Sequence, residues 1–389
     1  MKFMHLGDLH LGKILLDCDL KDDQRYILDK LLDMAKTEAV DGVLIAGDVY
    51  DKAIPSEAAV NLLNDFLCGL AEMKVKVFMI SGNHDSDDRL NFGSRLFESN
   101  QIFISSGFDG RLHRHTMEDG WGEVDIFLLP FVKASQVRHY YPDAAIRTYE
   151  DAVRTILKDV DTDTENRRRV LVAHQFVAGR SEDPYLAGSE SIGTQSVGLV
   201  EKIGYDCFDA FDYVALGHIH SPQRVGRDEV RYSGSPLKYS LSEVNNEKSV
   251  PIVTLGEKGD VKVKLIPLTP RREMRHLRGE LKELLQKGRS DARYARDDYI
   301  YATLTDETFI SDAIGIIRNV YPNTLKLDYD NTYTRKIQQA DISSITENKS
   351  FPELISDFYR LIYGCDISKE EMAVMVAVAK EAGVIHEAD

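Results

Sequence analysis

The sequence predicts an α/β protein in which two packed sheets are flanked by helices, followed by a small α+β unit and a pair of C-terminal helices. Three observations carry that expectation. Short apolar runs alternate with helical patterns through the first part of the chain, which argues α/β layering. Strand-like runs then dominate, with fewer helices between them. Pro267 and Pro270 interrupt this pattern, and beyond them helix and strand alternate again.

Each element can be justified in order. "KFMHL" is the first strand, and an amphipathic stretch follows around Tyr26–Ala39. "GVLIA" is the second, before a helix from about Ser56, an N-cap residue with Glu57 in the first turn. "KVKVFMI" leads into a helical pattern over Arg89–Glu98. "DIFLLPF", "RRVLVAH", "DYVALGH", "VRYSGS", "VPIVTL" and "VKVKLIP" read as later strands, whereas 161–169 and 179–196 are polar or small and read as loops. Over roughly 271–335, "EMRHLRGELKELLQKG" reads as helix, "YIYATLT" as strand, "ISDAIGIIRNV" as helix and "TLKLDYD" as strand. The expected organisation is a domain over 1–268, a second over 269–338, a polar linker over 339–350 and a helical segment over 351–389. In that last segment Phe351, Leu354, Ile355, Phe358, Leu361 and Ile362 share one helix face. Gly364 ends the first helix, and Ser368 with Glu371 forms a capping box for the second. An apolar stripe on a helix pair that follows a linker suits a docking surface.

The chain has 389 residues, 43 % of them hydrophobic, so a large core is available. Its net charge of −16 opposes general binding of polyanions. The charge is uneven, because Lys262–Arg296 holds eleven Lys/Arg against four Asp/Glu. That stretch is either a solvated helix face or a basic strip serving one surface. Cys18, Cys68, Cys207 and Cys365 are scattered without C-x-x-C spacing, which argues against a zinc ribbon or a disulfide framework and fits a reducing compartment. No apolar run approaches the ~20 residues of a membrane helix. A cytoplasmic protein with no membrane partner is expected.

The chemistry collects at strand ends. "VALGHIH" closes an apolar strand with His218 and His220, two apart and so on the same side. "HLGDLHLG" supplies Asp8 and His10, "LIAGDVYD" supplies Asp48 and Asp51, "MISGNHDS" supplies Asn83, His84 and Asp85, and "LVAHQF" supplies His174. A glycine directly precedes the polar residues in four of the five, permitting a tight turn and close backbone approach. Ligands of α/β sheets gather outside such strand ends. Each fragment alone is weak, since a lone strand histidine is more often a satisfied core group. Five together would bury ionisable groups at several kcal/mol each without compensation, and a cluster of multivalent cations removes that cost.

D-x-H, G-D-x-x-D, G-N-H-D, a lone strand-end histidine and G-H-x-H, in this order, resemble the calcineurin-like metallophosphoesterases over about residues 1–266. With "RYSGSP" (Arg231–Pro236) and the long extension, the whole chain resembles the SbcD nuclease-subunit family. The resemblance implies a four-layer α-β-β-α sandwich with a small α+β capping domain and a C-terminal helical pair. It assigns Asp8, His10 and His220 to one metal and Asn83, His174 and His218 to another, with Asp48 bridging. Two manganese ions are implied, iron or magnesium being possible alternatives, to activate water for attack on phosphorus. His84 would contact the phosphate or protonate the leaving oxygen, with Asp51 fixing its tautomer. The implied activity is Mn-dependent 3′–5′ double-strand exonuclease and single-strand endonuclease action in DNA repair, recombination and replication. The implied partners are DNA, a second copy of the chain, and an SbcC-type ABC ATPase whose coiled coil receives the tail helices in a heterotetramer. No Walker motif occurs in this chain, so ATP hydrolysis falls to that partner. Arg271, Arg272, Arg275 and Arg278 are the expected DNA contacts. The metal core alone does not exclude a stand-alone phosphatase or phosphodiesterase on a small or nucleotide substrate, but the cap unit and the apolar tail pair disfavour it, since such an enzyme needs neither. A non-catalytic DNA clamp is disfavoured by the complete ligand set. His5, His113, His115, His139, His276 and His386 lie outside the pattern, and Ser233 and Ser235 are either phosphate donors or turn serines.

Overall fold

The computed structural model describes residues 1–158, 160, 167–179, 183–186, 202–339, 350–363 and 365–384. It divides into two compact units, Met1–Met274 and Arg275–Asp389. The first contains β1 (Lys2–Leu6), α1 (Lys21–Glu38), β2 (Gly42–Ala46), α2 (Glu57–Glu72), β3 (Lys76–Ile80), β4 (Ile102–Ser105), β5 (His113–Asp119), β6 (Gly122–Leu129), α3 (Ala134–Tyr140) and α4 (Tyr149–Leu157). It continues with β7 (Arg168–His174), β8 (Tyr213–Gly217), β9 (Gln223–Val225), β10 (Arg227–Tyr232), β11 (Ser249–Leu255) and β12 (Val261–Pro267).

These strands make two six-stranded sheets, in the orders β12-β11-β1-β2-β3-β4 and β9-β10-β8-β7-β6-β5. In the first, β1, β2, β3 and β4 run parallel. In the second, β6, β7, β8 and β10 run parallel. Parallel strands covered on both faces read as unbroken apolar runs, and "GVLIA" and "VLVA" have that character. Because side chains alternate, each strand feeds two cores. Phe3, Leu44, Ala46, Phe78 and Ile80 meet Ile126, Leu128, Val170, Val172 and Ala215 between the sheets. Leu129, Leu171, Ala173, Val214 and Leu216 face away, onto Val137 of α3 and Ala152, Val153 and Ile156 of α4. On the outer face of the first sheet, Val43, Ile45, Val77 and Met79 are buried, as are Ile27, Leu31, Leu62 and Phe66 of the adjoining α1 and α2. The result is the four-layer α-β-β-α sandwich. Ser56 caps α2 by accepting from the Ala59 amide at 3.3 Å.

The second unit has a three-stranded sheet, β13 (Met274–Gly279), β14 (Tyr299–Leu304) and β15 (Thr324–Tyr329), in that order. Its helices are α5 (Leu281–Ser290), α6 (Ala313–Arg318), α7 (Thr332–Gln339), α8 (Phe351–Tyr363) and α9 (Lys369–Glu381). Leu277, Leu281, Leu284, Ile300, Ala302, Leu304, Ile317 and Tyr321 form its core. The Ser368 capping box is present: its hydroxyl accepts from the Glu371 amide at 3.2 Å, and Glu371 accepts from the Ser368 amide at 3.0 Å.

Two elements differ from expectation. Residues 274–279, read as the start of a helix, are strand β13, because Met274 and Leu277 are spaced three apart and imitate helical periodicity while pairing with β14 decides the outcome. The continuous helix over Arg89–Glu98 is replaced by single turns at Asp87–Leu90 and Ser94–Phe97, broken at Gly93 with φ 77°. Helices α3 and α4 are not among the expected elements, although Ala152, Val153 and Ile156 share the buried face of α4 and Thr148 with Asp151 makes a capping box at its start. Residues 340–349 of the expected linker, Gly364 and most of the expected 161–169 and 179–196 loops lie outside the described residues.

Candidate metal centre

The polar residues follow the carboxyl ends of β1, β2, β3, β7 and β8. The first two loops run side by side, with the Asp8 amide donating to Gly47 O at 3.1 Å and the His10 amide to Asp48 O at 2.9 Å. Asp8, His10, Asp48 and His218 adopt positive φ of 52°, 42°, 47° and 104°. Non-glycine residues rarely sit there, and such strain concentrates at functional sites. The glycines before the motifs permit contact no side chain would allow. A methyl on Gly82 would stand 2.1 Å from Asp48 Oδ1, and one on Gly217 would stand 1.9 Å from Ala46 O.

The seven expected ligands converge. Asp8, His10 and His220 bring donor atoms within 4.8 Å of one another, and so do Asp8, Asp48 and His174. Asp48 Oδ2 lies 3.6 Å from His10 Nε2 and 3.4 Å from His174 Nε2, between the two groups. Asn83 Oδ1 lies 3.0 Å from His174 Nε2 and 2.9 Å from His218 Nδ1. Asp8, His10, Asp48, His174 and His220 form a buried floor, whereas Asn83 and His84 are exposed at the rim and His218 is half-buried.

Several features fit cations. His220 Nδ1 faces Glu243 at 3.2 Å and His10 Nδ1 faces Asp51 at 3.6 Å. Each carboxylate favours a proton on Nδ1, leaving a lone pair on Nε2. Those two Nε2 atoms stand only 3.1 Å apart, an arrangement that asks for positive charge between them. Asp8 Oδ2 is buried without a hydrogen-bond partner. Burial raises the Asp8 carboxyl above its ordinary range despite the neighbouring His174. Burial also depresses His10. Burial would depress His174 too, but the Asp48 carboxylate outweighs it and lifts the ring to about 9. Asp48 is held well below its usual range against its own burial, chiefly by His174. Negative charge is thus concentrated between the two histidine groups, and imidazole with carboxylate and amide oxygen is a donor set for divalent transition metals.

His84 donates from its main-chain amide to Asp48 Oδ1 at 2.9 Å, and its Nδ1 donates to the Asp51 main-chain oxygen at 3.1 Å. This corrects the expected pairing, in which the Asp51 side chain would fix the His84 tautomer. That carboxylate instead accepts from Lys13 at 2.8 Å and faces His10. Asp85, inside the G-N-H-D motif but given no role from sequence, accepts from the amides of Val49, Tyr50 and Gly82 and so ties two loops together. Glu243 escapes sequence reasoning because "SLSEVNNEK" lies at no strand end. Ser233 and Ser235 are buried and donate to Gly234 O and Leu237 O, as turn serines do.

The four candidate DNA arginines are already engaged. Arg271 lies 3.9 Å from Asp22 and Arg272 donates to Asp23 at 2.6 Å. In the second unit Arg275 pairs with Asp298 and Asp291, and Arg278 with Asp330.

This sandwich and donor cluster define a metal-dependent phosphoesterase. Residues 1–222 match the calcineurin-like phosphoesterase family, and residues 270–363 match the SbcD C-terminal family described as type 5 capsule protein repressor C-terminal domain. The chain is 34 % identical over 358 residues to the SbcD subunit of the SbcCD nuclease of Staphylococcus epidermidis, covering 90 % of this chain and 92 % of that protein. It therefore belongs to the calcineurin-like phosphoesterases and, among them, to the SbcD family. Among solved structures, a dimetal phosphatase from Danio rerio aligns at 12 % identity over 69 % of this chain and 99 % of its own, with a TM-score of 0.35. A phosphoesterase from E. coli aligns at 14 % over 65 % and 88 %, with a TM-score of 0.25. No helix among the described residues is long and apolar enough to cross a membrane.

Proposed function

We propose that the chain is the nuclease subunit of an SbcCD-type complex, cutting DNA as a 3′–5′ double-strand exonuclease and a single-strand endonuclease at breaks and hairpins. The observation that carries this reading is the convergence of seven donor side chains from five strand ends, five of them on a buried floor and Asn83 and His218 toward its rim. Its support from relatives is the similarity to the staphylococcal nuclease protein along nearly the whole chain. Asp8, His10 and His220 would hold one cation, Asn83, His174 and His218 the other, and Asp48 both. Manganese is the assigned metal, since imidazole-rich mixed sites favour manganese or iron over magnesium. When bound, the cations lower the pKa of water and stabilise charge at phosphorus.

The remaining chemistry belongs to side chains. With Nδ1–H held by Asp51 O, His84 presents Nε2 at the exposed rim, where it contacts the phosphate and passes a proton to the leaving oxygen. Phe92 and Leu96, 84 % and 76 % exposed, offer an apolar surface for homodimerisation. Val374, Met375 and Val378 leave an exposed apolar face on α9, which suits the coiled coil of an SbcC-type ATPase in a cytoplasmic heterotetramer.

The test is cleavage of linear duplex DNA against small aryl phosphodiesters, with metal stoichiometry measured alongside. Manganese-dependent duplex cutting is expected, and His84→Ala should keep both cations while losing about 10²–10⁴-fold in turnover. Activity confined to small esters would overturn the nuclease reading, and unchanged His84→Ala turnover would remove the proton-transfer role.

A further inference from the structure

We infer that Glu243, held by Lys248, is a positioning residue that makes the Asp8–His10–His220 cation position the tighter of the two. This rests on the proposed metal centre and deepens it. Glu243 ends the single turn Leu241–Glu243 and is fully buried. Its Oε1 meets His220 Nδ1 at 3.2 Å, and its Oε2 accepts from Lys248 Nζ at 2.6 Å. Lys248, only 6 % exposed, also donates to the His220 main-chain oxygen and to Ser235 Oγ, each at 2.8 Å. The lysine thus clamps both the carboxylate and the backbone of the histidine that the carboxylate orients.

A buried ion pair is weak evidence for stability, because desolvation offsets most of the attraction. Its placement here points instead to the ring. A carboxylate on the distal nitrogen of a ligating histidine fixes the tautomer, limits rotation and raises the basicity of the other nitrogen. His10, in the same cation position, repeats the pattern: Nδ1 faces Asp51, whose carboxylate is held by Lys13 at 2.8 Å. On the other side His174 Nδ1 hydrogen-bonds to the neutral Ala46 carbonyl at 2.8 Å, with Asp8 Oδ1, itself a proposed ligand, farther off at 3.9 Å. One cation position is therefore backed by two lysine-held carboxylates, and the other has a neutral oxygen behind its buried histidine. The first should bind more tightly and fill first.

The experiment is manganese titration of the full-length metal-free protein, followed by electron paramagnetic resonance of free Mn²⁺ and by calorimetry. Wild type should show two classes of site. Glu243→Gln should weaken the tighter class by about 10–100-fold and leave the weaker class in place. Because Glu243→Gln strands the Lys248 charge, the double variant Glu243→Gln/Lys248→Met is measured beside it and should show the same selective loss. Two unchanged classes in either folded variant, even with a lowered melting temperature of the metal-free protein, would reduce Glu243 to a structural residue and overturn the inference. If wild type takes up no manganese, the metal reading itself fails, a result distinct from the first.

Discussion

At the residue scale, His5 shows how a histidine next to the metal-binding segment can serve the fold alone. It lies in β1 and is fully buried. Its Nε2 donates to Leu216 O at 3.1 Å, and its Nδ1 accepts from the Tyr213 hydroxyl at 2.9 Å, joining the two sheets. Both bonds suit a neutral ring, and burial lowers its pKa from 6.5 to about 3. The unfolded chain therefore binds a proton that the folded chain excludes. The stability from this group is complete above about pH 6.5 and is lost as pH falls toward 3, at about 1.4 kcal/mol per pH unit. Denaturant unfolding of metal-free protein at pH 7.5 and 5.5 should show a smaller pH effect in His5→Gln than in wild type. Equal losses in the two would contradict this account. Sequence showed His5 to be off-motif, but its partner, 208 positions away, is a tertiary fact.

Among the elements, the strand ends were legible and the loops between them less so. "GVLIA" and "YVALG" are unbroken apolar runs because parallel strands are covered on both faces. Glycine before four of the five motifs announced a turn, but only the structure shows what the missing side chain makes room for. A Cβ at Gly217 would stand 1.9 Å from Ala46 O, the carbonyl that orients His174. Gly217→Ala should therefore cost about 1–3 kcal/mol through overpacking and weaken manganese binding on the His174 side. Thermal melts with metal titration would show both effects, and a variant with wild-type metal affinity would contradict the second. Strand β13 escaped sequence reading for a related reason, since Met274 and Leu277, three apart, read as one helix face although in the strand they point to opposite sides.

For the whole molecule, the balance of charge matters most. On the proposed nuclease reading, a chain of net charge −16 approaches DNA through local positive surface. Arg271, Arg272, Arg275 and Arg278, the candidate contacts, each spend their charge on a carboxylate. Lys282 and Arg289 of α5 are exposed, with no ion pair among the described residues. Duplex binding followed by fluorescence anisotropy should weaken steeply with salt. Lys282→Gln/Arg289→Gln should flatten the plot of log affinity against log salt by about two, whereas Arg278→Gln should change it little. A larger effect from Arg278 would return the contact to the four arginines.

By itself the sequence determined the layer type and the place of the chemistry at strand ends, where it set the seven polar side chains that meet in the structure. Those properties reside in local runs: apolar stretches, glycines and polar residues at short spacing. Only the tertiary structure decided which atoms face one another. The Nε2–Nε2 approach of His10 and His220, the contact of Glu243 with His220 and the transfer of Asp51 from His84 to His10 all join residues from separate loops. Their distances follow from how two twisted sheets pack and where each strand stops, and no local pattern encodes that.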